Sequence, residues 1–184
     1  AARLGRSILE LGGNNAIIIS KEADLDIAIV GSLFGAVGTA GQRCTTTRRL
    51  IIHEDVYETF KRKLVHAYKQ LKIGNPLKEE NHVGPLIDKD AVNGYLNALA
   101  EVKKEGGKMV VQGGVLTGKG FESGCYVRPC IAEVTPDMEI VKKETFAPIL
   151  YLIKYKTIDE DISYQNGVRQ GLSSAIMTSH MQEM

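Results

Sequence analysis

Apolar positions along the chain keep two rhythms, one of strands and one of helices. Residues 15–20 form a short isoleucine-rich run that reads as a buried strand. From Asp24, which has the chemistry of an N-cap, Ile27, Val30, Leu33, Phe34 and Val37 recur at helical spacing and predict a helix with that apolar face. Residues 49–52 read as strand. Val56, Phe60, Leu64, Tyr68 and Leu71 then trace one face of a long helix that stops before the turn signal Gly74-Asn75-Pro76. Val92, Tyr95, Leu96, Leu99 and Val102 trace another, ending at Gly106-Gly107. Residues 108–112, 127–134, 149–155 and 174–178 complete the set of strands, with a glycine-rich loop at 113–124. Strands alternating with helices predict an α/β layered domain with a mostly parallel sheet flanked by helices.

The chemistry sits at two breaks in this pattern. Gly31, Gly35, Gly38 and Gly41 interrupt the first helix, and Gly41-Gln42-Arg43-Cys44-Thr45-Thr46-Thr47 follows before the next strand. Cys44 is thereby expected on a helix-to-strand connection, where reactive side chains are commonly displayed. Glu10 ends an apolar segment, Ile8-Leu9-Glu10-Leu11-Gly12-Gly13, whose glycine pair lets the backbone turn sharply. A free thiol has a pKa near ~8.5, so a working nucleophile needs a base or a supporting charge. Glu10 offers the first, and Arg43, Arg48 and Arg49 offer the second.

Glu-Leu-Gly-Gly at residues 10–13 and Gly-Gln-x-Cys at 41–44, at this separation, resemble the aldehyde dehydrogenase superfamily. Glu144-Thr145-Phe146-Ala147-Pro148 is similar to the family's Glu-x-Phe-Gly-Pro segment, with alanine in the fourth place. The runs at 41–50, 144–151 and 171–176 look closest to the antiquitin type, family 7, which oxidises α-aminoadipic semialdehyde in lysine degradation. The resemblance implies that Cys44 attacks an aldehyde, that hydride passes to NAD (NADP being possible), and that Glu10 activates the water that releases the acid. It further implies that Glu144 holds the nicotinamide ribose, that Phe146 packs beside the ring, that the Leu11 backbone meets the carboxamide, and that Thr45 flanks the substrate channel. The chain then corresponds, over residues 1–184, to part of the catalytic domain of such an enzyme. The dinucleotide-binding domain, an oxyanion asparagine and a C-terminal segment are expected elsewhere, and the full enzyme is expected to be a homo-oligomer.

Composition narrows the alternatives. The 184 residues are 43% hydrophobic, enough for the core of one domain, and Lys+Arg 23 against Asp+Glu 22 leaves no basic stripe for nucleic acid or an anionic membrane. Apolar runs are too short to span a bilayer and there is no apolar leader, so a soluble, cytoplasmic protein is expected. Cys44, Cys125 and Cys130 make no disulfide framework, and the spacing of Cys125 and Cys130 does not meet zinc geometry, so no metal is expected. Residues 113–119 imitate a phosphate-binding loop, but Gly120 stands where a hydroxyl residue is needed. Two readings outside oxidation remain: a non-redox cysteine ester or thioester hydrolase, and a non-catalytic interaction module.

Overall fold

The computed structural model describes residues 5–183. Its elements are β1 (Asn15–Ile19), α1 (Leu25–Val37), β2 (Thr47–His53), α2 (Glu54–Lys69), α3 (Lys89–Lys104), β3 (Lys108–Val111), β4 (Gly114–Val115), β5 (Val127–Arg128), β6 (Cys130–Glu133), β7 (Ile149–Tyr155), α4 (Ile158–Asn166) and β8 (Ser174–Met177). Six strands form one sheet in the order β3-β6-β7-β2-β1-β8, parallel throughout except for β3, which runs antiparallel at the edge. The mostly parallel α/β layering expected from the sequence is what is found.

The two central strands explain their own sequences. Leu50, Ile51 and Ile52 of β2 and Leu150, Leu152 and Ile153 of β7 are all buried. A strand covered on both faces needs an unbroken apolar run instead of an alternating one. The links from β1 to β2 and from β7 to β8 cross the sheet in opposite directions. Right-handed crossovers therefore put α1 and α4 on opposite faces.

Asp24 caps α1 as expected, its Oδ1 accepting from the N–H groups of Asp26 at 3.0 Å and Ile27 at 3.2 Å. The predicted face of α1 is corrected, however. Val37 is buried and Leu33 partly so, as expected, but Ile27, Val30 and Phe34 are exposed, and the helix instead buries Ala28, Ser32 and Ala36. A β-carbon on Gly35 would run into Thr47 Oγ1, so α1 lies too close to β2 for large side chains. α2 and α3 follow their predicted faces through Phe60, Leu64 and Tyr68, and through Val92, Tyr95, Leu99 and Val102, except that Leu96 faces outward and Ala98 inward. The single strand expected over 127–134 is split at Pro129, which has no N–H to give a ladder. β5 pairs with β4, inside the stretch expected to be loop, and β6 joins the main sheet.

One irregularity bears on function. Asn15 pairs with Thr47 but Ala16 pairs with Arg49, so Arg48 is an extra, bulged residue at the start of β2. Arg49, buried and with no carboxylate partner among the described residues, donates to Asn14 O at 2.8 and 3.0 Å and to the last-turn carbonyls of α4, Tyr164 O at 2.6 Å and Gln165 O at 3.2 Å. The negative end of α4 thus stands in for a counter-ion. Burial still lowers the Arg49 pKa to about 10.

Candidate active site

Every segment of the site enters at one rim of the sheet, before the first residues of β1, β2, β7 and β8. α1 ends at Gly38, and the chain then turns through Thr39, Ala40 and Gly41, whose φ values of 56°, 54° and 73° are all left-handed. A side chain at Gly41 would strike the backbone of Ala147. The left-handed turn thus presses the Cys44 segment against the segment carrying Glu144 and Phe146.

Beyond it, Arg43 N–H donates to Thr46 Oγ1 at 3.1 Å, and Thr46 N–H donates to Arg43 O at 3.0 Å. This closes a turn with Cys44 and Thr45 at its exposed tip. Two side chains brace it from behind. Gln42 Oε1 accepts from Ile87 N–H at 2.8 Å, while its Nε2 donates to Pro85 O at 3.2 Å. Asn15 Nδ2 donates to Cys44 O at 2.7 Å and to Thr46 O at 2.9 Å, and its Oδ1 accepts from Ser173 N–H at 3.1 Å. Among the described residues no acceptor is bonded to the Cys44 N–H.

The Glu-Leu-Gly-Gly segment has no regular secondary structure here, and its glycines account for its course. A β-carbon on Gly12 would collide with the Glu144 carboxylate, and one on Gly13 with Cys44 O. Gly13 N–H donates to Glu144 Oε1 at 3.0 Å, and Arg48 Nη2 lies 3.4 Å from the same oxygen. The Phe146 ring, nearly half exposed, carries the Arg48 guanidinium 5.1 Å from its centroid. Burial lowers the Arg48 pKa, and the nearby Glu144 and Cys44 oppose that shift.

Of the residues singled out in the sequence, the fold gathers Cys44, Thr45, Glu144 and Phe146 at one rim. Leu11 lies beside them on the exposed side. Glu10 is different: it is exposed, and no hydrogen bond or ion pair joins it to Cys44 among the described residues. Nor does a cavity of about 720 Å³ unite them; it runs along α1 between Val30, Phe34, Leu71 and His82 and includes neither residue. Of the three arginines offered as supporting charges, Arg43 turns away onto the Phe34 ring, 5.0 Å from its centroid, and Arg49 is committed to α4. Asn15 was missed as a brace, although an asparagine opening an isoleucine strand is the signal that would have found it.

The fold is thus an α/β domain with an exposed thiol on a braced turn at the entry rim of its mostly parallel sheet, and with a carboxylate and an aromatic ring on the adjoining segment. The model of the aldehyde dehydrogenase family matches residues 1–184, and the chain belongs to that family. It is 49% identical over 176 residues to aldehyde dehydrogenase family 7 member A1 of Pisum sativum, covering 96% of this chain and 34% of the relative. It is also 49% identical over 180 residues to α-aminoadipic semialdehyde dehydrogenase of Bos taurus, covering 97% of this chain and 33% of the relative. Among solved structures, a 3,6-anhydro-L-galactose dehydrogenase in complex with NAP superposes with a TM-score of 0.91 at 34% identity, over 95% of this chain and 37% of that one. Betaine aldehyde dehydrogenase of Staphylococcus aureus in complex with NAD+ gives 0.91 at 27% identity, over 95% and 35%. The chain thus spans about a third of the length of the relatives it matches.

Proposed function

We propose that this chain supplies the nucleophile-bearing part of an NAD(P)-dependent aldehyde dehydrogenase that oxidises a semialdehyde, of the α-aminoadipic type, to a carboxylic acid. The observation that carries this reading is the packing of the Cys44 turn directly against the Glu144 and Phe146 segment. The semialdehyde is supported by the name of the bovine relative. The cytoplasm, where thiols stay reduced, suits three free cysteines.

Cys44 Sγ attacks the aldehyde carbon, and the charge that develops on oxygen falls to the unengaged Cys44 N–H. A nicotinamide cofactor, when bound, would supply the acceptor for the hydride that the Cys44 adduct must lose to become a thioester. The residues present fit its nicotinamide end: Phe146 offers a half-exposed ring, Leu11 is exposed beside it, and Glu144 keeps Oε2 without a hydrogen bond among the described residues. Contacts to the rest of the cofactor are assigned to a dinucleotide-binding segment outside these residues. Glu10, on an exposed and unanchored stretch, is free to take the proton of the water that hydrolyses the thioester.

Acylation of Cys44 and its release need no cofactor, which allows a direct test on this chain. With an activated ester of a short acid, mass spectrometry is expected to show one acyl group on Cys44, absent in Cys44→Ala. In Glu10→Gln the adduct should form at the same rate and persist at least tenfold longer. Equal lifetimes would remove Glu10 from the role of base.

A further inference from the structure

We infer that Arg48 is a positioning residue that couples the turn bearing Cys44 to the segment bearing Glu144 and Phe146. The inference rests on the reading of Cys44 as nucleophile and Glu144 as the cofactor-facing carboxylate. Neither of those roles explains why a cation should be buried between them.

The bulge in β2 sets the geometry. As the unpaired residue, Arg48 is released from the alternation of the strand and aims its side chain along the rim. Its guanidinium then meets both segments at once. Toward the nucleophile, Nη2 donates to Arg43 O at 3.1 Å and Nη1 to Thr46 O at 3.0 Å, the two carbonyls that bracket Cys44 and Thr45. Toward the other segment, Nε donates to Thr145 O at 3.1 Å, Nη2 lies 3.4 Å from Glu144 Oε1, and the plane covers the Phe146 ring. Only a planar fork of five donors makes these contacts together; a lysine presents one point charge.

The side chain is 1% exposed, so its field is poorly screened by water. The other charge on the turn, Arg43, is directed away onto Phe34. Glu144 therefore governs how much of the Arg48 charge is left for Cys44. Engaging or neutralising the carboxylate leaves the guanidinium free to favour the thiolate, and a change at the cofactor-facing group is read at the sulfur without contact between the two.

The test is a double-mutant cycle on Cys44 alkylation by iodoacetamide, followed by mass spectrometry of the Cys44 peptide between pH 6 and pH 9. Glu144→Gln is expected to raise the alkylation rate at pH 7 by about threefold and to move the profile toward acid, because the thiolate and not the thiol is the species alkylated. In an Arg48→Met background the same substitution should change nothing. If circular dichroism shows that Arg48→Met does not fold, Arg48→Lys takes its place and should keep less than half of the Glu144→Gln effect. An equal effect in both backgrounds, or none in the parent chain, overturns the coupling. Alkylation of an exposed thiol needs neither aldehyde nor cofactor, so this outcome is separate from the acyl-adduct test.

Discussion

Thr39 and Ala40 hold a backbone conformation that costs a residue with a β-carbon about 1–2 kcal/mol, and they hold it consecutively. Gly41, the third of the series, has no such cost but no room either. The two positions should respond oppositely. Ala40→Gly exchanges strain for backbone entropy and is expected to raise stability by about 0.5 kcal/mol. Gly41→Ala adds a clash with Ala147 to an unfavourable φ and should cost about 3 kcal/mol or more, with Cys44 displaced. Thermal melting, paired with the alkylation rate of Cys44, checks both. At this scale the motifs made Cys44, Glu144 and Phe146 legible from sequence, because each lies within a short, spaced signature. The tasks of Asn15 and Arg48 were not legible, since each depends on partners in segments far along the chain.

At the scale of elements, glycines separate close packing from open surface. Gly94 lies in α3 with nothing near its missing side chain, so Gly94→Ala should add about 1 kcal/mol through helix propensity alone. Gly35→Ala, in α1, should instead cost about 1–3 kcal/mol against Thr47, the two melts moving in opposite directions. The same contact explains why the face of α1 was misread: periodicity marks an apolar stripe, but here the small residues face the sheet. α4 escaped notice because Ile158 and Ile162 are half exposed and give little periodic signal; its capping box, Thr157 with Glu160, was the local clue. A charged tie joins α2 to β6, where Glu133 Oε1 meets Lys61 Nζ at 2.7 Å and Tyr57 Oη at 3.1 Å. Burial pushes the Glu133 pKa up, but these partners outweigh it and the net shift is downward. A depressed carboxylate stabilises the fold above its unfolded pKa, and that contribution is lost as pH falls through the folded value. Glu133→Gln should therefore cost about 1 kcal/mol at pH 7, with the difference from the parent chain closing below about pH 4 in urea titrations.

For the whole molecule, the groups proposed above to meet a nicotinamide are Leu11, Glu144 and Phe146 at one rim, and the chain spans about a third of its relatives. So small a share of a dinucleotide's surface cannot offset the loss of its freedom on binding. Calorimetry with NAD is expected to show affinity no tighter than roughly millimolar, and micromolar binding would place the phosphate contacts within these residues. The architecture was the most legible level of all, because strands buried on both faces carry unbroken apolar runs, rich in isoleucine and too short for helices.

The common direction of β1, β2, β7 and β8 divides the domain into two ends of unlike duty. Thiol, carboxylate and aromatic ring all stand where strands begin. Where those strands finish are Ser20, His53 and Tyr155, in a region occupied by Asp161 and Glu183. Connections at that finishing end can lengthen, shorten or change charge while the sulfur of Cys44 keeps its place. Variation among related chains is accordingly expected to accumulate there, sparing the opposite end.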